Sequence, residues 1–453
     1  MKRSIHPLTA ALVVVLLAGG ALMIGLQKAS AEDNGVGRTP VLGWSSWSFI
    51  RKDPTAANMK AQALALHQSG LQELGYHYVN MDDFWYQCPG PQGPNVDAFG
   101  RWVIDASRFP AEGDTNGIKA VADYIHSLGL KFGIYLTPGI SMQAVKKNTP
   151  IKGTHYTADQ IAKPSLKEDN YNCHGMVGID YSRPGAQQYV NSWADMFASW
   201  GVDYVKLDGM FDRNVPDIKA WSKAIRQSDR PMILNITWGR LTPAIAPVLM
   251  KYANQWVVTP DLECYECEKN GSSYPLTSWA NIKLRFDIAA RWQPYAGPGH
   301  FNDYDSIEVG NGKSTGLSLE EQKTQLSLWS LAAGPLILGV DLTHLDPHGL
   351  TLLKNTEVLT VDQDAIAAKR ILKSGNQQVF AKTEKNGDTI VGLFNTGEKA
   401  EKVSVQASAA GLAANSNGYS LNDLWTGKTT KSGSTISATV PPHGVALYRV
   451  KAL

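Results

Sequence analysis

A lysine and an aspartate stand two residues apart in Tyr204-Val205-Lys206-Leu207-Asp208-Gly209, at the end of an otherwise apolar run. Side chains alternate across a strand with period two, so Lys206 and Asp208 share one face. Desolvating an ion is costly unless the ion is paired or used. A carboxylate held ionised by a neighbouring ammonium can act as a nucleophile or a metal ligand, and the same pair fits a structural salt bridge that closes a loop. Other apolar runs end in similar chemistry: Asn80-Met81-Asp82-Asp83 followed by Trp85, then Trp238, Asp261, and Asn302-Asp303-Tyr304-Asp305. Each alone fits a helix cap or a satisfied loop carboxylate. Five together at strand ends point to one site. Carboxylates interleaved with Trp47, Trp85, Tyr135 and Trp238 suit sugars, whose hydroxyls need acceptors and whose apolar face stacks on rings. Trp44 fits a core position as well as a binding wall. Glycoside hydrolysis needs two carboxyl groups across the scissile bond, and Asp208 and Asp261 are the best-placed pair.

These residues need elements to hold them. From about residue 40 to 350, short apolar runs alternate with longer segments of helical periodicity. The predicted strands are 42–45, 78–81, 131–136, 204–207, 232–236, 255–258, 296–301 and 336–339. Segments such as 56–69, 117–128, 186–200 and 318–333 carry apolar residues at three- and four-residue spacing. Eight strand and helix units predict a parallel (β/α)8 TIM barrel, with its site at the C-terminal ends of the strands. Beyond Val361 the pattern becomes short alternating runs split by Gly, Asn, Ser and Pro. That predicts a C-terminal antiparallel β-sandwich, which supports the barrel or touches extended substrate. The expected division is a signal segment at 1–31, a barrel at 32–360 and the sandwich at 361–453.

Residues 1–31 read as an export signal: Lys2 and Arg3 precede an apolar run from Leu8 to Leu26, with small residues before a cut after Ala31. An uncleaved anchor is the alternative for a run of this length. Removing the segment takes Lys2, Arg3 and Lys28 and no acid, leaving 40 basic against 41 acidic residues and a formal charge of −1. No basic patch speaks for nucleic acid, and no second run reaches membrane-spanning length. The expected location is secreted or periplasmic, without stable membrane association after cleavage. Oxidising conditions would allow Cys264 and Cys267 to form a small ring and Cys88 to pair with Cys173. A zinc site is the rival use of the four cysteines.

Six motifs in order resemble glycoside hydrolase family 27, the α-galactosidases and their relatives. They are Gly43-Trp44-Ser45-Ser46-Trp47, Asp82-Asp83-Phe84-Trp85, Gly133-Ile134-Tyr135, Val205-Lys206-Leu207-Asp208-Gly209, His300-Phe301-Asn302-Asp303-Tyr304-Asp305 and Ala333-Gly334-Pro335-Leu336. The resemblance implies a retaining exo-glycosidase acting on terminal α-galactosyl residues of oligosaccharides or polysaccharides. It makes Asp208 the nucleophile and Asp261 the acid and then the base, with Glu263 as the nearby rival. Asp82 and Asp83 would bind the 4- and 6-hydroxyls and Lys206 would bridge nucleophile and sugar. Trp47, Tyr135, Trp238 and Asp303 would complete the substrate-binding set. No metal or organic cofactor is implied. The sequence leaves the oligomeric state open.

Two departures concern the sugar's 2-position. Where family α-galactosidases carry an arginine after the tryptophan that precedes the acid, this chain has Val257. Where their fifth strand carries Cys-Glu before Trp-Gly, this chain has Ile236-Thr237-Trp238-Gly239. Arg240 is the candidate to compensate. Met210 replaces the cysteine that usually follows the nucleophile strand. A relative acting on α-N-acetylgalactosaminides or β-L-arabinopyranosides is therefore the alternative within the enzyme class, and a non-catalytic sugar-binding barrel is the alternative outside it. Without the arginine, Asp261 is expected to hold its proton to higher pH, which predicts a mildly acidic to neutral optimum.

Overall fold

The computed structural model describes residues 34–237, 241–263 and 276–453. The expected signal segment, Trp238, Arg240 and the Cys264–Cys267 ring lie outside the described residues.

Eight parallel strands form one sheet. In chain order they are Leu42–Ser45, Tyr76–Met81, Lys131–Leu136, Tyr204–Leu207, Ile233–Ile236, Gln255–Val257, Phe301–Asp303 and Leu336–Leu338. The sheet closes through Ile307, whose N–H donates to the Ile337 carbonyl at 2.8 Å and whose carbonyl accepts from Gly339 N–H at 3.0 Å. Parallel strands need crossovers, and helices such as Ala56–Gln68, Gly117–Ser127, Ala186–Ser199 and Val215–Gln227 supply them. Their starts are written locally. Thr55 accepts from Asn58 N–H while the Asn58 side chain accepts from Thr55 N–H, a reciprocal cap worth roughly 1 kcal/mol.

The seventh strand differs from the expected 296–301. Gly297 and His300 exchange two backbone hydrogen bonds of 2.9 Å across Pro298-Gly299, so the apolar residues before Phe301 are spent in a tight turn and pairing begins at Phe301. An unexpected three-stranded antiparallel sheet, Ile140–Ser141, Met176–Ile179 and Ala162–Glu168, rises from the loop after the third barrel strand. Its outer strand, Ala-Lys-Pro-Ser-Leu-Lys-Glu, is largely exposed and lacks the apolar pattern that marks a strand. Cys88 and Cys173 form a disulfide with Cα atoms 5.4 Å apart, tying this sheet to the loop after the second strand. That removes both from any zinc site.

The C-terminal region is antiparallel, as expected. A six-stranded sheet orders Lys369–Ser374, Gln377–Thr383, Thr389–Asn395, Val445–Ala452, Tyr419–Asp423 and Thr429–Ser432, and a two-stranded sheet pairs Glu401–Gln406 with Thr435–Val440. Period-two alternation splits its side chains between two cores. Val379, Val391 and Leu393 face Val403 and Ile436 inside the sandwich, while Phe380, Ile390 and Phe394 join the barrel core. Phe394 meets Phe286 edge-on at 5.0 Å, and His443 stacks on Trp279 at 4.2 Å. The sandwich therefore supports the barrel by bracing helix Trp279–Trp292. Among the described residues no helix is long and apolar enough to cross a membrane.

Candidate active site

Strand register delivers the polar residues to one end of the barrel. Tyr135, Lys206 and Asn235 are neighbours across three adjacent strands, so their side chains fall in one ring facing the interior. Gly133 makes the ring possible: a Cβ there would lie 2.0 Å from the Asn80 side-chain oxygen. Above this ring opens a cavity of about 260 Å³, lined by Trp47, Asp82, Asp83, Tyr135, Lys206, Asp208, Asp261 and Asp303 among others. These are the site residues expected from sequence, apart from Trp238. Trp44 is not among them. It is fully buried and donates its indole N–H to the Val340 carbonyl at 2.7 Å, which resolves it as core.

The Lys206 ammonium donates to Asp82 Oδ2 at 2.6 Å, linking the second and fourth strands. Asp82 Oδ1 accepts from the Asp83 N–H, and Asp83 Oδ1 accepts from Phe84 N–H at 2.7 Å. Phe84 holds φ at +74° and Asp305 at +73°, so the chain leaves two strands in left-handed conformations that non-glycine residues rarely adopt. Asn235 donates to Asp303 Oδ2 at 3.1 Å and to the Tyr204 hydroxyl at 2.6 Å, and accepts from Thr237 Oγ1 at 2.6 Å. This chain of bonds fixes the floor.

Electrostatics differ from a simple lysine–aspartate pair. Burial raises Asp208 to about 6 against the opposing pull of Lys206, and Asp82 adds to the rise. The lysine's hydrogen bond goes to Asp82, and its charge acts on Asp208 through space. Burial with Asp82 and Asp208 nearby lifts Asp83 to about 7, despite the hydrogen bonds from Tyr86 and Phe84. Asp303 rises to about 6 from burial and Asp305. Lys206 itself is held charged well above its ordinary value: burial opposes this, and Asp82 and Asp208 outweigh it.

Asp261 stands at the mouth, exposed to solvent. Its pKa is nevertheless raised, by the protein packed around its carboxyl and then by Asp305, Glu263 and Asp208. Val257 brings no cation there. Glu263, two residues on, is buried and paired with Arg51 at 2.8 Å, and Arg51 lies 4.8 Å over the Trp47 ring. That commitment separates it from Asp261, which takes no ion pair among the described residues.

Several wall residues were not expected. Tyr171, from the loop within the three-stranded excursion, meets Trp47 edge-on at 5.5 Å and stays 44% exposed, making it the aromatic lip of the cavity. Tyr204 and Asn235 sit on the same strand faces as Asp208 and Thr237, so alternation alone could have flagged them. Glu308 lies just outside the cavity, fully buried and lifted to about 8 by desolvation. Because its folded pKa exceeds the unfolded one, ionising it opposes folding increasingly as pH rises from about 4.5 to 8. Glu308→Gln is expected to melt with wild type near pH 4.5 and several degrees above it at pH 8.5, as read by thermal denaturation across pH.

Residues 39–144 and 140–364 match the family model described as alpha galactosidase A, and residues 374–450 match the alpha galactosidase C-terminal beta sandwich domain. Alpha-galactosidase 2 of Arabidopsis thaliana is 31% identical over 431 residues, covering 94% of this chain and 92% of that protein. Alpha-N-acetylgalactosaminidase of Gallus gallus is 27% identical, covering 92% and 94%. The crystal structure of a GH27 β-L-arabinopyranosidase from Geobacillus stearothermophilus superposes with a TM-score of 0.84 at 30% identity, covering 93% of this chain and 98% of that one. A parallel barrel with carboxylates and aromatics gathered at its C-terminal end, a following β-sandwich and full-length similarity agree: the chain belongs to glycoside hydrolase family 27.

Proposed function

We propose that this protein is an exported retaining exo-α-galactosidase. The observation that carries the reading is the cavity, which joins Asp82, Asp83, Lys206 and Asp208 at its floor to Asp261 at its mouth. Its volume of about 260 Å³ falls just below the range of roughly 300–1,000 Å³ for drug-sized ligands, which suits one pyranose ring entering end-on. Asp208 attacks the anomeric carbon as protonated Asp261 gives its proton to the departing oxygen. Asp261 then takes a proton from water, which releases the sugar from Asp208. Asp82, Asp83 and Lys206 hold the hydroxyls. Trp47, Tyr135, Asp303 and Trp238 complete the proposed binding set. The apolar N-terminal run and the Cys88–Cys173 disulfide support export.

The pH profile follows from two opposite requirements. Asp208 must be ionised, so the acidic limb of kcat/KM falls near pH 6. Asp261 must be protonated, so its raised pKa places the alkaline limb above that. The expected result is a bell with a near-neutral maximum. A profile that keeps rising through pH 9 would contradict Asp261 as the acid.

A second reading rests on Thr237 and Val257, which leave part of the wall small and uncharged, and on the α-N-acetylgalactosaminidase and β-L-arabinopyranosidase among the similar proteins. Chromogenic α-galactoside, α-N-acetylgalactosaminide and β-L-arabinopyranoside substrates separate the possibilities. The arabinoside lacks the 6-hydroxyl and would leave a buried acceptor unpaired, so its kcat/KM should be on the order of 10²-fold lower or worse. Preference for the acetamido sugar would transfer the proposal to the second reading, and hydrolysis of none would overturn the function.

A further inference from the structure

Asp261 sits on an irregular segment beyond the end of its strand, yet backbone groups of three successive residues, 260 to 262, are tied down. Arg285, fully buried on helix Trp279–Trp292, donates to the Pro260 carbonyl at 2.6 Å and to the Tyr304 carbonyl at 2.9 Å. Asn281, one turn earlier, donates to the Asp261 carbonyl at 2.8 Å and to the Leu276 carbonyl at 2.8 Å. The Asp305 carboxylate accepts the Leu262 N–H and lies 4.0 Å from Arg285. Arg285 also donates to the Asn281 side-chain oxygen at 2.7 Å, so the two helix residues act as one unit. A guanidinium taken wholly out of water is costly, and burial pulls its pKa down to about 10. A fork with fixed geometry that spans two loops is a use for which a lysine would not substitute.

We propose that Asn281 and Arg285, with Asp305, form a positioning clamp that sets the aim of Asp261 at the glycosidic oxygen. The inference rests on Asp261 being the acid/base. Asn281 and Arg285 touch neither sugar nor reacting atoms and act through the backbone of 260–262, while Asp305 also lines the cavity. The sandwich domain braces it from behind: Phe286 of the same helix packs on Phe380 and Phe394, and Lys283 donates to the Thr396 carbonyl at 2.9 Å. The C-terminal domain thus acts on the first proton transfer through one helix.

The test exploits leaving-group chemistry. Departure of a sugar or alkyl alkoxide requires Asp261's proton, whereas departure of fluoride from α-galactosyl fluoride needs far less help. The ratio of kcat/KM on methyl α-galactoside to kcat/KM on the fluoride therefore reports acid catalysis alone, because kcat/KM ends at formation of the glycosyl-enzyme. Asn281→Ala and Arg285→Lys are expected to lower kcat/KM on the methyl glycoside on the order of 10-fold and on the fluoride less than about 3-fold. Asp261→Ala is the reference, expected to lose about 10² to 10⁴ on the methyl glycoside with a much smaller loss on the fluoride. A merely structural role would lower both substrates equally, and that outcome in both clamp variants, with Asp261→Ala still selective, overturns the clamp. If Arg285→Lys fails to fold, Asn281→Ala alone decides, since its side chain is only partly buried. Equal losses on both substrates in Asp261→Ala would instead overturn the acid/base reading itself.

Discussion

Asp208→Asn is expected to lower kcat on any α-galactoside by about 10⁴-fold or more, the scale at which a covalent nucleophile is missed, while leaving the fold and galactose binding in place. The amide is isosteric, so the cavity keeps its shape. It cannot attack the anomeric carbon, and the carboxylates packed beside it are committed: Asp82 holds Lys206, Asp303 is fixed by Asn235, and Asp83 is capped by the Phe84 N–H. Since burial raises Asp208 to about 6, the amide also removes a group that resists ionisation. Melting near pH 7 should accordingly be unchanged or slightly higher than wild type. Steady-state turnover and galactose titration by calorimetry check the two halves. Retained turnover would place the nucleophile elsewhere, whereas galactose binding with no turnover in either form would describe a non-catalytic sugar-binding barrel.

Lys206→Met is the second large effect, and it separates the lysine's two duties. The ammonium opposes the burial-driven rise of Asp208, so its loss should move the acidic limb of kcat/KM upward by about 1 to 3 pH units. It also strips Asp82, 3% exposed, of its partner at 2.6 Å, leaving a buried carboxylate uncompensated at a cost of about 3 kcal/mol or more. Activity at pH 6 is expected to fall about 10³-fold, and part of that loss should return as pH rises toward 8. The sign follows from which form works: the ionised nucleophile is the active one, so a raised pKa is offset by higher pH. A loss that is flat across pH would mean that Lys206 only anchors sugar. A scan of kcat/KM between pH 4.5 and 9 distinguishes them.

What the sequence made legible divides along physical lines. The first, third and fourth barrel strands announced themselves because each is a short, nearly unbroken apolar run ending in polar residues, the pattern of a strand buried on both faces. The lysine and aspartate of the fourth strand were conspicuous because charge inside such a run is costly. The seventh strand slipped because Ala296, Phe301 and the residues between them read as one run, while the Pro298-Gly299 turn decides where pairing starts. Tyr171 was invisible from sequence. It belongs to no periodic segment, and only the three-stranded excursion and the Cys88–Cys173 disulfide carry it back over Trp47.

Arg285 is the instructive omission. It lies between Ile282, Phe286 and Ala289 on the buried stripe of its helix, the position where a charged residue should prompt a search for a partner. The partners are backbone carbonyls of two distant loops, and no spacing rule encodes them. Electrostatics were half legible. A raised Asp261 was expected from the missing arginine at Val257; the groups that raise it, the protein around it and then Asp305, Glu263 and Asp208, were not. The expectation that Lys206 would simply keep Asp208 ionised overlooked Asp82, which takes the ammonium's hydrogen bond.

A retaining mechanism through Asp208 requires a covalent galactosyl bond to that one carboxylate. Incubation with 5-fluoro-α-D-galactosyl fluoride, which slows release of the intermediate more than its formation, followed by proteolysis and mass spectrometry, reads that bond directly. The predicted result is a single adduct of one fluorogalactosyl unit on Asp208, in the peptide containing Tyr204 to Gly209, absent from Asp208→Asn. Labelling of another carboxylate, or unlabelled protein that still hydrolyses α-galactosides with inversion, would contradict it.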